Sequence, residues 1–387
     1  MYVQNTNNLK ERLHFIDNLR LVMIIIVVMV HTSVTYSGIG GWYYIENKSV
    51  DTVSTIIFGM FNTFSQAYFM GFLFLLAGYF VPGAYDKKGP SKFIKDRIFR
   101  LGLPVFIYIF IISPFIEYFI MGAFINKPVP MFWSYYSNYI SHFGVIGHSG
   151  PLWFALALLI FSIIYAVLRM CVGKSFKIKE KKTVPGNISI LLLILLIASL
   201  TFVVRLYEPV GTDILNMQLC FFTQYIVLFI VGIFAYRRSW FTSLSYKFGV
   251  TWLKLGALAA LILWAVIMVL GGPLDGKQYV VYGGFYWQAA AYAFWEQLFC
   301  AAMCLGLIVI FRDKFNGQGK LMRFLTDNAF CVYVFHSVVL ISVSMLLRNY
   351  YMYPLVKFVL VVAIVLPIVF IISSLIRKIP GLKKVFS

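Results

Sequence analysis

The chain has 387 residues, of which 61% are hydrophobic and only 12% charged, far from the balance of soluble domains. No water-soluble fold of this length hides that much apolar surface, whereas a bilayer solvates it. A net charge of +19 would point to nucleic acid in a soluble protein, but its placement along the chain, described below, assigns it to membrane topology, so no nucleic-acid partner is expected.

Met1 to Leu9 is polar and carries no cleavage-site pattern ahead of the first apolar run, so no removable signal peptide is expected. Ten apolar runs of spanning length follow, at 19–38, 59–81, 101–121, 151–170, 188–206, 218–236, 253–271, 290–311, 329–347 and 355–376. The second is the least apolar at its start, where Asn62, Ser65 and Gln66 fall. Charge in the connections tests the count independently. With residues 1–20 placed in the cytoplasm, the inner segments hold 27 of the 33 Lys and Arg, and the sign of the bias never reverses along the chain. The expected fold is therefore an all-α polytopic bundle of ten transmembrane helices, both termini cytoplasmic, forming a single domain over 1–387 with no internal repeat. The longest outer connection, 122–150, contains Pro128, Pro130, Trp133, three Tyr and two His, and has room to shape an external surface. The inner connection 172–187 is basic and reads as a solvated linker.

The five cysteines (Cys171, Cys220, Cys300, Cys304, Cys331) lie within or beside apolar runs, are odd in number and have no zinc-site spacing. Neither a disulfide framework nor a metal is expected, and Cys300 and Cys304, four apart, read as small packing residues.

Ionisable side chains inside spans are costly and are functional candidates for that reason. The first run supplies Arg20 and His31, eleven residues apart. Three helical turns bring them to one face, about 16 Å apart along the axis. Arg20 falls at the cytoplasmic edge and His31 beyond the midpoint. Asp17 lies three residues before Arg20, within ion-pair reach. The third run opens with Arg97 and Arg100, again on one face, and Arg suits paired hydrogen bonds to phosphate. Both also fit the plainer role of cytoplasmic anchors. Glu117 falls near the outer end of the same run, Glu296 in the eighth and His336 in the ninth. The two glutamates fit a hydrated cavity or a helix interface, and His336 fits packing as well as function.

Four stretches resemble the acyltransferase-3 family of membrane proteins, in particular its glucan-biosynthesis succinyltransferase branch. They are FIDNLR followed by His31, which gives an Arg-x10-His spacing; FLFLLAGYF (72–80) followed by YDKKGPSKF; DRIFRLGLP (96–104), with its Arg-x-x-Arg pair; and GPLWFALALLIFSIIYA (150–166). The late NAFCVYVFHSV fits the family's penultimate helix. The resemblance implies transfer of an acyl group to a hydroxyl, usually on a carbohydrate. It makes His31 the catalytic candidate and Arg20, Arg97 and Arg100 the donor-binding candidates; the residue pattern itself adds Asp17, Glu117 and His336 as supporting candidates. No fused extracytoplasmic esterase-like domain of the kind some members carry is expected.

The expected reaction uses acyl-CoA as a cytoplasmic co-substrate, with no permanently bound cofactor and no metal. The acyl group, acetyl or succinyl, would pass to a polysaccharide, glucan or glycolipid acceptor at a bacterial plasma membrane. A basic entrance suits the three phosphates of coenzyme A. His31 would act as general base or through an acyl-His intermediate. Asp17 lies too far along the helix to orient His31, which leaves Glu117 or a group on another helix. Two other function classes fit the same residues: a proton-coupled transporter or flippase of a sugar or lipid-linked sugar, against which the absence of repeated halves counts, and a non-catalytic membrane scaffold.

Overall fold

In hydrocarbon every backbone N–H and C=O must be satisfied within the chain, and apolar runs of this length meet that demand as helices. The computed structural model describes residues 13–47, 49–124, 130–141, 147–172 and 184–386. Among them are ten helices long and apolar enough to cross a membrane: α1 (His14–Ser37), α2 (Thr52–Lys88), α3 (Pro90–Met121), α4 (Gly150–Val172), α5 (Asn187–Arg205), α6 (Leu219–Arg237), α7 (Tyr246–Asp275), α8 (Trp287–Lys314), α9 (Lys320–Leu346) and α10 (Pro354–Ile376). No β-strand occurs among the described residues. All ten expected spans are present. Several run past the expected boundaries, most of all α2 and the start of α3, because a helix continues beyond the hydrocarbon wherever its polar ends find water or partners.

The least apolar span is the most enclosed. Of the spanning window of α2, 78% is buried, against 17% for α7. The polar start of α2 thus reflects its place inside the bundle: Gln66 donates to the Tyr225 hydroxyl (3.1 Å), and Ser65 is buried. α1, α2, α8 and α9 form the centre, while α5, α7 and α10 present most of their surface outward. Glycine sets the closest crossing. A side chain at Gly78 would meet the Phe229 carbonyl, and one at Gly232 the Leu75 carbonyl, so α2 and α6 touch backbone to backbone. The foot of α1 is tied to the α8–α9 connection, where Asn18 donates to the carbonyls of Phe315 (2.7 Å) and Gly317 (3.2 Å).

α3 departs from regular α geometry. Ile98–Gly102, Tyr108–Ile112 and Ile116–Met121 are π-helical. Proline explains one opening. Pro114 has no N–H for the Phe110 carbonyl, and the Ser113 N–H has shifted to the Tyr108 carbonyl. The freed carbonyls of Phe110 and Ile109 accept instead from the hydroxyls of Tyr136 (3.1 Å) and Tyr139 (2.9 Å). These bonds dock the short helix Phe132–Ser141 on α3. In the long connections, Lys127, His142 and most of the basic 172–187 linker lie outside the described residues.

An ion pair is buried in the bundle with both partners sealed. Arg205, the last residue of α5, lies 2.7 Å from Glu296 of α8, their side chains 0% and 2% exposed. Glu296 is thereby accounted for at a helix interface. Removing one partner strands a charge at a cost of about 3–5 kcal/mol, whereas an apolar pair of similar volume is often tolerated. Arg205→Met and Glu296→Leu should each lower the melting temperature in detergent sharply, and the double variant should recover most of the loss.

Candidate active site

The connection after α1 folds back over that helix. Gly38 and Gly40 take positive φ (68° and 106°), conformations that side chains resist. The returning strand is pinned at several points. The Glu46 N–H bonds the Thr35 carbonyl (2.9 Å) and Asn47 donates to the Tyr36 carbonyl (3.3 Å). The Glu46 carboxylate meets Lys357 of α10 at 2.6 Å, and the same ammonium donates to the carbonyls of Leu347 (2.8 Å) and Tyr350 (2.9 Å). At the far end Asp51 caps α2, accepting from the N–H groups of Val53 and Ser54 (both 3.1 Å) and from the Ser54 hydroxyl (2.6 Å).

This pinning sets Trp42 face to face on His31, with ring centres 3.8 Å apart and planes 19° apart. His336 of α9 stands 5.3 Å from His31 and 6.1 Å from Trp42, in a nearly parallel plane. No hydrogen bond reaches either ring nitrogen of His31 from the described residues, and its side chain is only half-buried. His336 is fully buried, and its Nδ1 lies 2.8 Å from the Tyr333 carbonyl. A carbonyl only accepts, so Nδ1 carries the hydrogen and Nε2 presents a lone pair. That Nε2 and the Trp42 Nε1–H are both buried without a partner. An unused donor and an unused acceptor thus flank an imidazole held by ring contacts.

A chain of hydroxyls runs from this centre toward Glu117. Tyr108 donates to Ser337 (2.9 Å), the residue after His336, and contacts the Tyr43 hydroxyl (3.0 Å). Tyr43 also contacts Ser113 (3.1 Å), which donates to Glu117 (3.3 Å). Tyr135 donates to the other Glu117 oxygen (2.9 Å), and His148 lies 3.5 Å away. Glu117 therefore joins the centre through Ser113 and Tyr43 and has no direct contact with His31. Burial pushes the Tyr43 phenol up, with the Ser113 and Tyr108 hydrogen bonds opposing, so it stays neutral at ordinary pH.

The expected donor-binding arginines come together at the other end of α1. Arg20 pairs with Asp17 (3.4 Å), as the three-residue spacing predicts, and lies over the Phe80 ring (4.9 Å). Arg97 lies over Phe93 (5.0 Å) and within electrostatic range of Arg100 and Arg20. Arg100 is exposed. Three cations from two helices thus share one end of the bundle, with His31 three turns up the helix that carries Arg20. Sequence reasoning missed Trp42, Tyr43, Tyr108 and Ser337. The available signal was the aromatic GGWYY run directly after the helix of His31.

Two outcomes follow from the pinned loop. Lys357→Met removes three bonds and takes away the ion-pair partner of the Glu46 carboxylate, so limited proteolysis should cut within 38–51 faster than in the parent protein. The Asp51 carboxyl is held below the usual carboxylate range, first by the Ser54 hydroxyl, then by the Ser54 N–H, with Tyr353 and Val53 adding to it. Its contribution to stability is complete above that range and is lost as pH falls through the lowered value. Melting curves between pH 7 and 3 should therefore show a smaller acid loss for Asp51→Asn than for the parent.

No curated protein and no solved structure shows a significant match to the chain. The model of a family described as an acyltransferase domain matches residues 13–376, nearly the whole chain. That match takes in both the arginine end and the His31 centre: this multi-pass membrane protein belongs to the acyltransferase-3 family.

Proposed function

We propose that the protein is an O-acyltransferase of a bacterial plasma membrane that moves an acetyl or succinyl group from cytoplasmic acyl-CoA to a hydroxyl of an extracytoplasmic carbohydrate or glycoconjugate. The observation that carries this reading is a three-arginine end, built from Arg20 of α1 with Arg97 and Arg100 of α3, and an imidazole about 16 Å away along α1 that takes no hydrogen bond from the described residues. Arg97 and Arg100, with Arg20, hold the phosphates of coenzyme A by charge and by paired hydrogen bonds. The pantetheine arm reaches along α1 and brings the thioester to His31.

His31 takes the proton of the acceptor hydroxyl as its oxygen bonds to the thioester carbonyl carbon. The carbon–sulfur bond then breaks, and the proton passes from His31 to the leaving thiolate, giving ester and coenzyme A. The Trp42 Nε1–H beside His31 is the donor available to the oxygen on which negative charge develops. The resemblance to the glucan succinyltransferase branch supports a carbohydrate acceptor. The hydroxyl chain to Glu117 also suits a proton-coupled transporter, which would move protons without breaking a thioester.

The test uses purified protein in nanodiscs with radiolabelled acetyl-CoA and succinyl-CoA. Thioester loss or protein labelling should fall by about 10²–10⁴-fold in His31→Ala. Arg97→Ala and Arg100→Ala should weaken donor binding, and the loss should shrink at high salt. Equal turnover in the parent and His31→Ala would exclude the reading. Proton flux in vesicles without thioester cleavage would favour transport.

A further inference from the structure

Among the described residues no carboxylate is hydrogen-bonded to candidate base His31, and Glu117 is engaged by Ser113, Tyr135 and His148. We infer that His336 is the positioning partner of His31, its Nε2 accepting an N–H from the His31 ring. The inference rests on His31 being the catalytic imidazole. Its first support is the fixed tautomer of His336. The Tyr333 carbonyl holds the hydrogen on Nδ1, and Nε2 is left as a buried acceptor with no donor, a state that folded proteins rarely leave uncompensated.

The second support is the arrangement of the rings. Trp42 covers a face of His31 at 3.8 Å, and His336 is 5.3 Å from His31 and 6.1 Å from Trp42. These separations make nearly a right angle at the His31 centre. His336 therefore lies off the edge of the His31 ring, near its plane, and not over its second face. A bond of about 2.9 Å between edge nitrogens, plus about 1.1 Å from each nitrogen to its ring centre, puts two imidazole centres about 5.1 Å apart. The observed separation and the 21° between the planes bring the rings within range of that contact, which is not closed in this structure. Catalytic hydrogen bonds are often longer before substrate binds.

The chemistry then has a defined direction. With one His31 nitrogen donating to His336, its other nitrogen keeps a lone pair for the acceptor hydroxyl. The hydroxyl proton moves to that nitrogen and on to the coenzyme A sulfur. His336 itself exchanges no proton: it selects the His31 tautomer and fixes the ring's rotation, the part a carboxylate plays in hydrolase triads. A neutral partner stabilises the imidazolium less than a carboxylate does, which favours prompt return of the proton to the thiolate.

The chain has five histidines, so a ¹⁵N-histidine spectrum in nanodiscs is assignable by single substitutions. The parent should show His336 protonated on Nδ1 and His31 as one dominant tautomer. His336→Ala should turn His31 into a mixture. His336→Gln, which places an amide oxygen near the Nε2 position, should restore the single form. In acetyl-CoA turnover, His336→Ala should lower kcat about 10–100-fold with KM for the donor unchanged, and Gln should recover part of it. A His31 spectrum indifferent to His336→Ala, or a hydrogen on His336 Nε2 in the parent, would overturn the inference even if His31→Ala abolishes turnover. A tautomer that responds as expected in a protein without thioester turnover would keep the pair and reject the acyl-transfer reading.

Discussion

The structure depends on one constraint: a polar group inside hydrocarbon must find its partner within the protein. The backbone complies by forming helices, and where proline breaks the pattern in α3 the hydroxyls of Tyr136 and Tyr139 take up the freed carbonyls. Side chains comply by facing inward. The same rule explains why α2, rich in polar residues at its start, lies at the centre of the bundle. It also makes the exceptions informative. The unpartnered Trp42 Nε1–H and His336 Nε2 belong to the two rings packed beside His31, whose imidazole takes no hydrogen bond from the described residues in this structure. In the proposed reaction, these open polar groups are where a substrate, or a second catalytic group, is accommodated.

The loop over His31 shows how a membrane enzyme builds a rigid ceiling from few residues. Two glycines turn the chain back, Lys357 gathers a carboxylate and two carbonyls, and Asp51 closes the segment as the cap of α2. Trp42 therefore rests on His31 as part of a fixed assembly. The aromatic face covers one side of the His31 ring, which in the proposed reaction leaves its edge for chemistry.

The span count and order were legible in the sequence, because bilayer thickness translates directly into apolar run length and loop charge checks the count. The Asp17–Arg20 pair was legible because helix spacing is local. The approach of Arg20 to Arg97 was implied by family resemblance alone, since spacing on separate helices carries no contact information. Trp42 was missed because its position depends on how a fourteen-residue connection folds back. Tyr108 and Ser113 were missed because π turns shift the azimuths that a regular helix would give them. The Arg205–Glu296 contact required knowing that α5 lies against α8. The acid expected beside His31 was sought by charge, whereas the nearest candidate in space is a neutral ring.

The Arg205–Glu296 pair carries a consequence for how such a chain changes over generations. Both residues are sealed from lipid and water, so a mutation at either codon meets selection at once, and the neutral route between charged and apolar versions passes through an unfavourable intermediate. The two positions therefore form one heritable unit. α5, otherwise free to vary on its lipid-facing surface, is bound through its last residue to the lineage of α8.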